Sequence, residues 1–224
     1  MQMSPLLLSM KTAAVSGGIT FFFGLFVAKG VNSIKSPLLK MVIDGLLTLP
    51  LVLPPTVAGF FLLALFGVNQ PVGRFFLEFF AWKIAFSWEA TVLAATVVSF
   101  PLMYRSARGA LEQVDPTYLA CGRTLGLSEW YLFSRIQLPL AAPGILSGGI
   151  LAFARGLGEF GATAMIAGNI AGKTRTLPLS IYSSVAAGRM ADAYHEVGLI
   201  VVFSFVVVVA MNYFTHRSKR KVVS

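Results

Sequence analysis

A chain of 224 residues that is 56% hydrophobic and only 12% charged, with a mean hydropathy of +0.77, has too few charges to cover a water-facing surface, where about 25% is usual. The formal charge of +9 does not point to nucleic acid, because the basic residues stand in short clusters between apolar runs and not along one amphipathic or aromatic-studded face. The single Cys121 excludes an internal disulfide and a cysteine-based metal site, and the two histidines have no ligand spacing.

In chain order, residues 1–14 carry one charge, Lys11, placed after the first leucines, which is not the layout of a secretory signal. Residues 1–8 are expected to be an extracytoplasmic N-terminal segment. Several apolar runs reach the ~20 residues that cross ~30 Å of hydrocarbon as a helix. Five spans are predicted, over residues 12–31, 42–66, 91–105, 141–167 with polar interruptions, and 197–214. The fold class is therefore all-α and integral to the membrane, with one membrane domain over 9–212 and a basic tail over 213–224.

Orientation follows from the lysines and arginines. With the N-terminus outside, the inner segments hold Lys29, Lys35, Lys40, Arg105, Arg108, Arg123, Arg135, Arg217, Lys219, Arg220 and Lys221. The outer segments hold Lys11, Arg74, Lys83, Lys173, Arg175 and Arg189, and Arg155 lies inside a span. Eleven against six predicts an outside N-terminus and a cytoplasmic tail.

The second span contains Pro50, Pro54 and Pro55, each of which removes a backbone donor and clashes with the preceding turn, so a kink or break is predicted there. Either packing demands that kink, or residues 49–56 border a translocation path, since broken backbone in a bilayer survives only beside protein or a water-filled cavity. Residues 75–88 are aromatic-rich with Glu78 and Lys83 interspersed and read as an interfacial helix, with Trp82 and Trp88 suited to the headgroup belt.

The fourth span carries Gly144, Gly148, Ala152 and Gly156 at a spacing of four, a small-residue face against which another helix packs closely, within the chain or between subunits. It also holds Arg155 and Glu159, neighbours on one helical face, where an isolated charge costs ~2.5 to 3.5 kcal/mol at mid-membrane. They form a clasp near a membrane face or border a hydrated gate.

Between the third and fourth spans, the polar stretch 107–139 exceeds what links neighbouring helices. Asp115 and Pro116 form an N-cap and first-turn pair, starting a helix to about residue 125. Gly126 ends it in the left-handed conformation. Ser128 and Glu129 start a second helix carrying Trp130, Phe133 and Ile136, which Leu138-Pro139 stops. The result is a compact cytoplasmic knob.

Gly126, nine residues and Ile136-Gln137-Leu138-Pro139 match the latter half of the motif E-A-A, three residues, G, nine residues, I-x-L-P, which marks type I ABC importer permeases. The opening triplet is Ala120-Cys121-Gly122 here, so the salt bridge of the family glutamate does not carry over; Glu112, Asp115 and Arg123 are the nearby polar residues. Two further stretches are Leu49-Pro50-Leu51-Val52-Leu53-Pro54-Pro55-Thr56-Val57-Ala58-Gly59 and Phe153-Ala154-Arg155-Gly156-Leu157-Gly158-Glu159-Phe160-Gly161-Ala162-Thr163. Both resemble the molybdate and sulfate branch of these permeases, and the second resembles molybdate permeases most.

The resemblance implies a type I ABC importer permease fold with a cytoplasmic coupling helix, in a bacterial-type inner membrane. It implies a homodimer forming one pathway among membrane lipid. The implied partners are two ABC ATPase subunits, which use ATP and Mg, and an extracytoplasmic oxyanion-binding protein. No cofactor and no enzymatic activity are expected of this chain itself. Residues 116–130 would dock on the ATPase, with Ala120, Cys121, Gly122, Leu125, Gly126, Ile136, Leu138 and Pro139 as coupling positions. Pro50, Pro54, Pro55, Arg155, Glu159 and Gly161 would border the pathway or its gate.

Residues 168–174 imitate a P-loop but have three residues, not four, between the first glycine and Gly172-Lys173-Thr174, and they follow an apolar span where a P-loop follows a strand. Lys173 and Arg175 are ordinary loop charges or a basic lure for a dianion. Three rivals remain: the same permease with sulfate, thiosulfate or tungstate as cargo, a secondary transporter, whose inverted repeats are not visible, and an intramembrane enzyme, for which paired carboxylates, a nucleophile with its base or a metal cluster are missing.

Overall fold

The computed structural model describes residues 4–223, excepting the side chains of 211, 212 and 214–223. Arg217, Lys219, Arg220 and Lys221 of the predicted basic tail lie outside the described side chains, and residues 1–3 and 224 outside the described residues. In chain order the helices are α1 Pro5–Asn32, α2 Pro37–Val52, α3 Pro55–Phe66, α4 Pro71–Phe80, α5 Trp88–Glu112, α6 Pro116–Thr124, α7 Glu129–Leu132, α8 Leu138–Leu157, α9 Gly161–Ile166, α10 Leu177–Ala186 and α11 Met190–Val223. A π-helical turn, Phe133–Gln137, joins α7 to α8.

Proline writes many of the starts. α1, α2, α3, α4 and α6 each open on one, where the missing N–H is an orphan in any case. Ser4, Ser36, Ser87, Asp115 and Ser128 cap α1, α2, α5, α6 and α7 by accepting a first-turn N–H.

Among the described residues, four stretches are long and apolar enough to span a bilayer: α1, α5, 129–157 and the first part of α11. The pair α2 and α3, bent by 110°, makes the fifth. The break predicted in the second span falls at Leu53 and Pro54. Each precedes a proline, which excludes the α region, and their ψ angles of 140° and 135° are extended. Pro50 instead stays inside α2.

α1, α5 and α8 form the core. α1 lays Ser9, Thr12, Ser16 and Thr20 along one buried face, and two of them pair with α5: Thr12 with Thr91 at 3.0 Å and Thr20 with Ser99 at 3.2 Å. Bonds of this kind average only about 0.6 kcal/mol in membranes, so the close approach of small residues matters more. The predicted stripe on α8 faces this seam within the chain. A Cβ on Gly148 would stand 2.4 Å from Ser106 Cβ, and one on Gly144 2.7 Å from Ala110 Cβ.

Some expected boundaries move. α5 runs to Glu112, so residues 107–112 belong to a span and the loop is shorter than 107–139. Pro139 does not stop the second knob helix; the wide π turn, closed by the Leu138 N–H on Phe133 O, admits the proline ring and passes the chain into α8. The predicted interfacial helix over 75–88 is α4, ending at Phe80 because Ala81 turns left-handed at φ 50°, while Trp88 opens α5.

Candidate functional site

The knob is built by short-range rules. Asp115 Oδ1 accepts from the Thr117 N–H at 2.8 Å, and hydrogen bonds from Thr117 hold this carboxyl below the usual carboxylate range. Gly126 takes φ +75° with open space around it, so the position demands a conformation and not a cavity. Across the bend, Arg123 Nε and Nη2 grip the Glu129 carboxylate at 2.6 and 3.1 Å, which raises the arginine pKa further. Gly122 is buried against Leu132: a Cβ there would stand 2.2 Å from Leu132 Cδ2. Where the family motif has alanine, this chain has the residue that lets α6 meet α7.

Two ties fasten the knob to the bundle. Lys29 Nζ of α1 lies 3.8 Å over the Phe133 ring and 4.4 Å over Trp130, and Gln137 Nε2 donates to Leu111 O at 3.2 Å. Among the predicted coupling residues, Ala120, Cys121, Leu125, Gly126 and Pro139 are exposed, Ile136 and Leu138 half-buried and Gly122 buried. Leu125 is 77% exposed, and α6 and α7 leave the large side chains of Tyr118, Trp130 and Tyr131 exposed as well. Exposed apolar side chains of this kind suit a protein partner.

The second predicted set gathers where two broken helices cross. α8 ends at Gly158 and α9 starts at Gly161, so Arg155 and Glu159 do not share one continuous helix as expected. They still pair: Arg155 Nη1 lies 2.8 Å from Glu159 Oε2, an ion pair without the angular geometry of a hydrogen bond. Glu159 is 2% exposed, and its Oε1 accepts the Ala162 N–H at 2.7 Å, so the buried carboxylate also holds the start of α9.

α9 packs on α3 through bare backbone. A Cβ on Gly59 would stand 2.6 Å from Ala162 Cα, and one on Gly161 3.0 Å from Pro55 Cβ. Ala58, Leu62, Ala162 and Ile166 bury this contact against Ala90, Ala94 and Val98 of α5. The structure thus brings Pro55 to Gly161, with Glu159 and Arg155 at the adjoining break. Pro54 is exposed at the α2–α3 corner, and Pro50 stays within α2.

One polar constellation went unread in the sequence. Tyr104, Arg108 and Glu112, one turn apart on α5, mesh with Lys40 and Asp44 of α2. Tyr104 donates to Asp44 Oδ1, Arg108 Nη1 pairs with Asp44 Oδ2, and Arg108 Nε and Lys40 Nζ each reach Glu112 Oε1 at 3.0 Å. α2 has no buried residue, so this ladder is a principal tie to α5, and it borders a cavity of about 340 Å³. The spacing of four was visible in each segment. That the two faces meet was not.

The P-loop imitation turns inward: the N–H groups of Lys173, Thr174 and Arg175 all point at Ile170 O, and Thr174 Oγ1 accepts from the Ile170 N–H at 2.9 Å. Arg175 Nε is held by Asn169 Oδ1 at 2.8 Å. Among the described residues no cluster of three His, Cys, Asp or Glu is placed to hold a metal ion.

A bundle of spans carrying a helix–glycine–helix knob at one end defines a transporter membrane subunit. The chain belongs to the family of binding-protein-dependent transport system inner membrane components, whose pattern matches residues 20–220. It is 45% identical over 179 residues to the molybdenum transport system permease protein ModB of Escherichia coli K12, covering 80% of this chain and 78% of that one. It is 42% identical over 202 residues to the putative molybdenum transport system permease protein YvgM of Bacillus subtilis 168, covering 90% and 88%. The fold is shared with the inward-facing methionine ABC transporter MetNI, at a TM-score of 0.74 and 16% identity over 94% of this chain and 93% of that one. A bacterial alginate ABC transporter gives 0.76 at 13% identity, covering 95% and 77%.

Proposed function

We propose that this chain is the membrane-spanning permease subunit of an ATP-driven molybdate importer and that two copies form one pathway. The observation that carries the reading is the knob around Gly126 on a chain 45% identical to a molybdenum permease over 80% of its length. The relatives named above favour molybdenum cargo over sulfate or thiosulfate.

ATP and Mg act on two separate ATPase subunits, which receive the exposed face of α6 and α7 through Ala120, Cys121, Leu125 and Gly126. Gly122, Ile136, Leu138 and Pro139 carry the motion from that face into α8. A binding protein delivers the dianion on the opposite side of a bacterial-type inner membrane, with the N-terminus outside and the tail in the cytoplasm, as the excess of inner cations supports. A dianion cannot cross hydrocarbon unaided, so the path is hydrated and polar-lined. The irregular backbone at Leu53, Pro54 and Gly158–Phe160 is the kind tolerated only beside such a cavity or buried in protein. On this reading Arg155 and Glu159 border the gate, and ATP binding to the closed ATPase pair biases the bundle outward.

The test is co-reconstitution with the ATPase and binding protein in liposomes, measuring labelled molybdate uptake. ATP-dependent uptake blocked by tungstate but not by excess sulfate is expected. Competition mainly by sulfate would replace the cargo, and uptake indifferent to ATP would sink the reading.

A further inference from the structure

A pocket of about 480 Å³ lies where the chain leaving α1 meets the knob. Its polar wall is Lys29, Asn32, Ser33 and Lys35 from the end of α1, with Arg123, Glu129 and Gln137 from the knob. Arg123 is neutralised in place by the Glu129 fork. Lys29 rests on the Phe133 and Trp130 rings, and among the described residues neither Lys29 nor Lys35 forms an ion pair. Asn32 Oδ1 accepts from Lys40 Nζ at 3.2 Å, which leaves its amide NH₂ as a donor.

The pocket therefore holds two cations in excess of its one carboxylate, together with the Asn32 amide, in a concavity that focuses positive potential; the Ser33 hydroxyl and the Gln137 amide already donate to Lys29 O and Leu111 O. Two ammonium groups and an amide donor lining one cavity suit an oxyanion with several acceptor oxygens. The place matters too. Lys29 stands in the last turn of α1 and Lys35 just beyond it, where the apolar run ends, and lysines beside the end of a membrane span draw anionic groups.

We infer that this pocket binds a phosphate-type oxyanion, presented by an anionic lipid headgroup or as free inorganic phosphate. The occupant bridges the end of α1 to α6 and braces the knob against the bundle. Binding stands without the importer reading; only its consequence for coupling rests on it, and a titration of the permease alone separates the two.

Trp130 is a built-in reporter, because the Lys29 ammonium that would engage the anion lies 4.4 Å from its ring centroid. The full chain in phosphatidylcholine nanodiscs is titrated with inorganic phosphate at constant ionic strength, and the titration is repeated with phosphatidylglycerol in the disc. A saturable emission change is expected that disappears in Trp130→Phe, weakens roughly tenfold in Lys35→Gln and survives in Lys35→Arg. Saturation by free phosphate identifies the soluble anion. A shift seen only with phosphatidylglycerol, and lost in Lys35→Gln, identifies the headgroup. No Trp130 response in either arm, or an undiminished response in Lys35→Gln, overturns the inference.

Discussion

The knob and the crossing of broken helices solve one problem in opposite surroundings. Each interrupts a helix and sets an arginine–glutamate pair beside the interruption. At the knob the side chains of Arg123 and Glu129 are 55% and 72% exposed, so water and salt screen their attraction and Gly126 alone makes the bend possible. At the crossing Glu159 is almost wholly buried, prolines and glycines shape the backbone, and the carboxylate holds both Arg155 and the first turn of α9. A charge pair that water screens at an exposed surface counts for more where its carboxylate is buried.

The comparison is broken most directly at Glu159. Glu159→Ala leaves Arg155 without its counter-charge and the Ala162 N–H without its acceptor, and is expected to cost about 3–5 kcal/mol, read as the unfolding midpoint in detergent. Glu159→Gln keeps the acceptor and recovers part of that loss. Equal stability of wild type and Glu159→Ala would show that the pair is not structural.

Next come the two glycines, which separate crowding from conformation. Gly59→Val drives a branched side chain into Ala162 and is expected to destabilise by about 1–3 kcal/mol, seen in the same melt. Gly126→Val meets no neighbour, and its strain is about 1–2 kcal/mol. Its main effect is expected in the reconstituted transporter, where molybdate moved per ATP hydrolysed falls while assembly persists. Gly126→Asn, which tolerates the left-handed region, should restore coupling. Normal coupling in Gly126→Val would remove the bend from the mechanism.

The smallest effect is expected at Arg123→Gln. The pair is exposed, so the melting temperature should match wild type at any salt concentration. A clear destabilisation would mean that the knob is held by charge and that its contrast with the crossing is false.

Local chemistry was readable from the chain. Asp115-Pro116, Gly126 and Ser128 spell out the knob because capping and a positive φ are decided within a few residues. Leu53 and Pro54 spell out the break for the same reason, since each precedes a proline. Pro139 misled, because a proline reads as a stop unless the preceding turn widens, and that widening depends on α8 continuing into the bundle. α10 was not anticipated at all: ten residues are too few to read as a span.

The sequence by itself determined that this protein is a helical membrane bundle with a helix–glycine–helix knob, because span length, hydropathy and cap chemistry are properties of short stretches. Only the tertiary structure decided what those stretches do for each other. It set Asp44 against Tyr104 and Arg108, Gly59 against Ala162 and Lys29 against Trp130. Periodicity states which face of a helix is polar or small, but the partner of that face is chosen by packing between segments far apart in the chain.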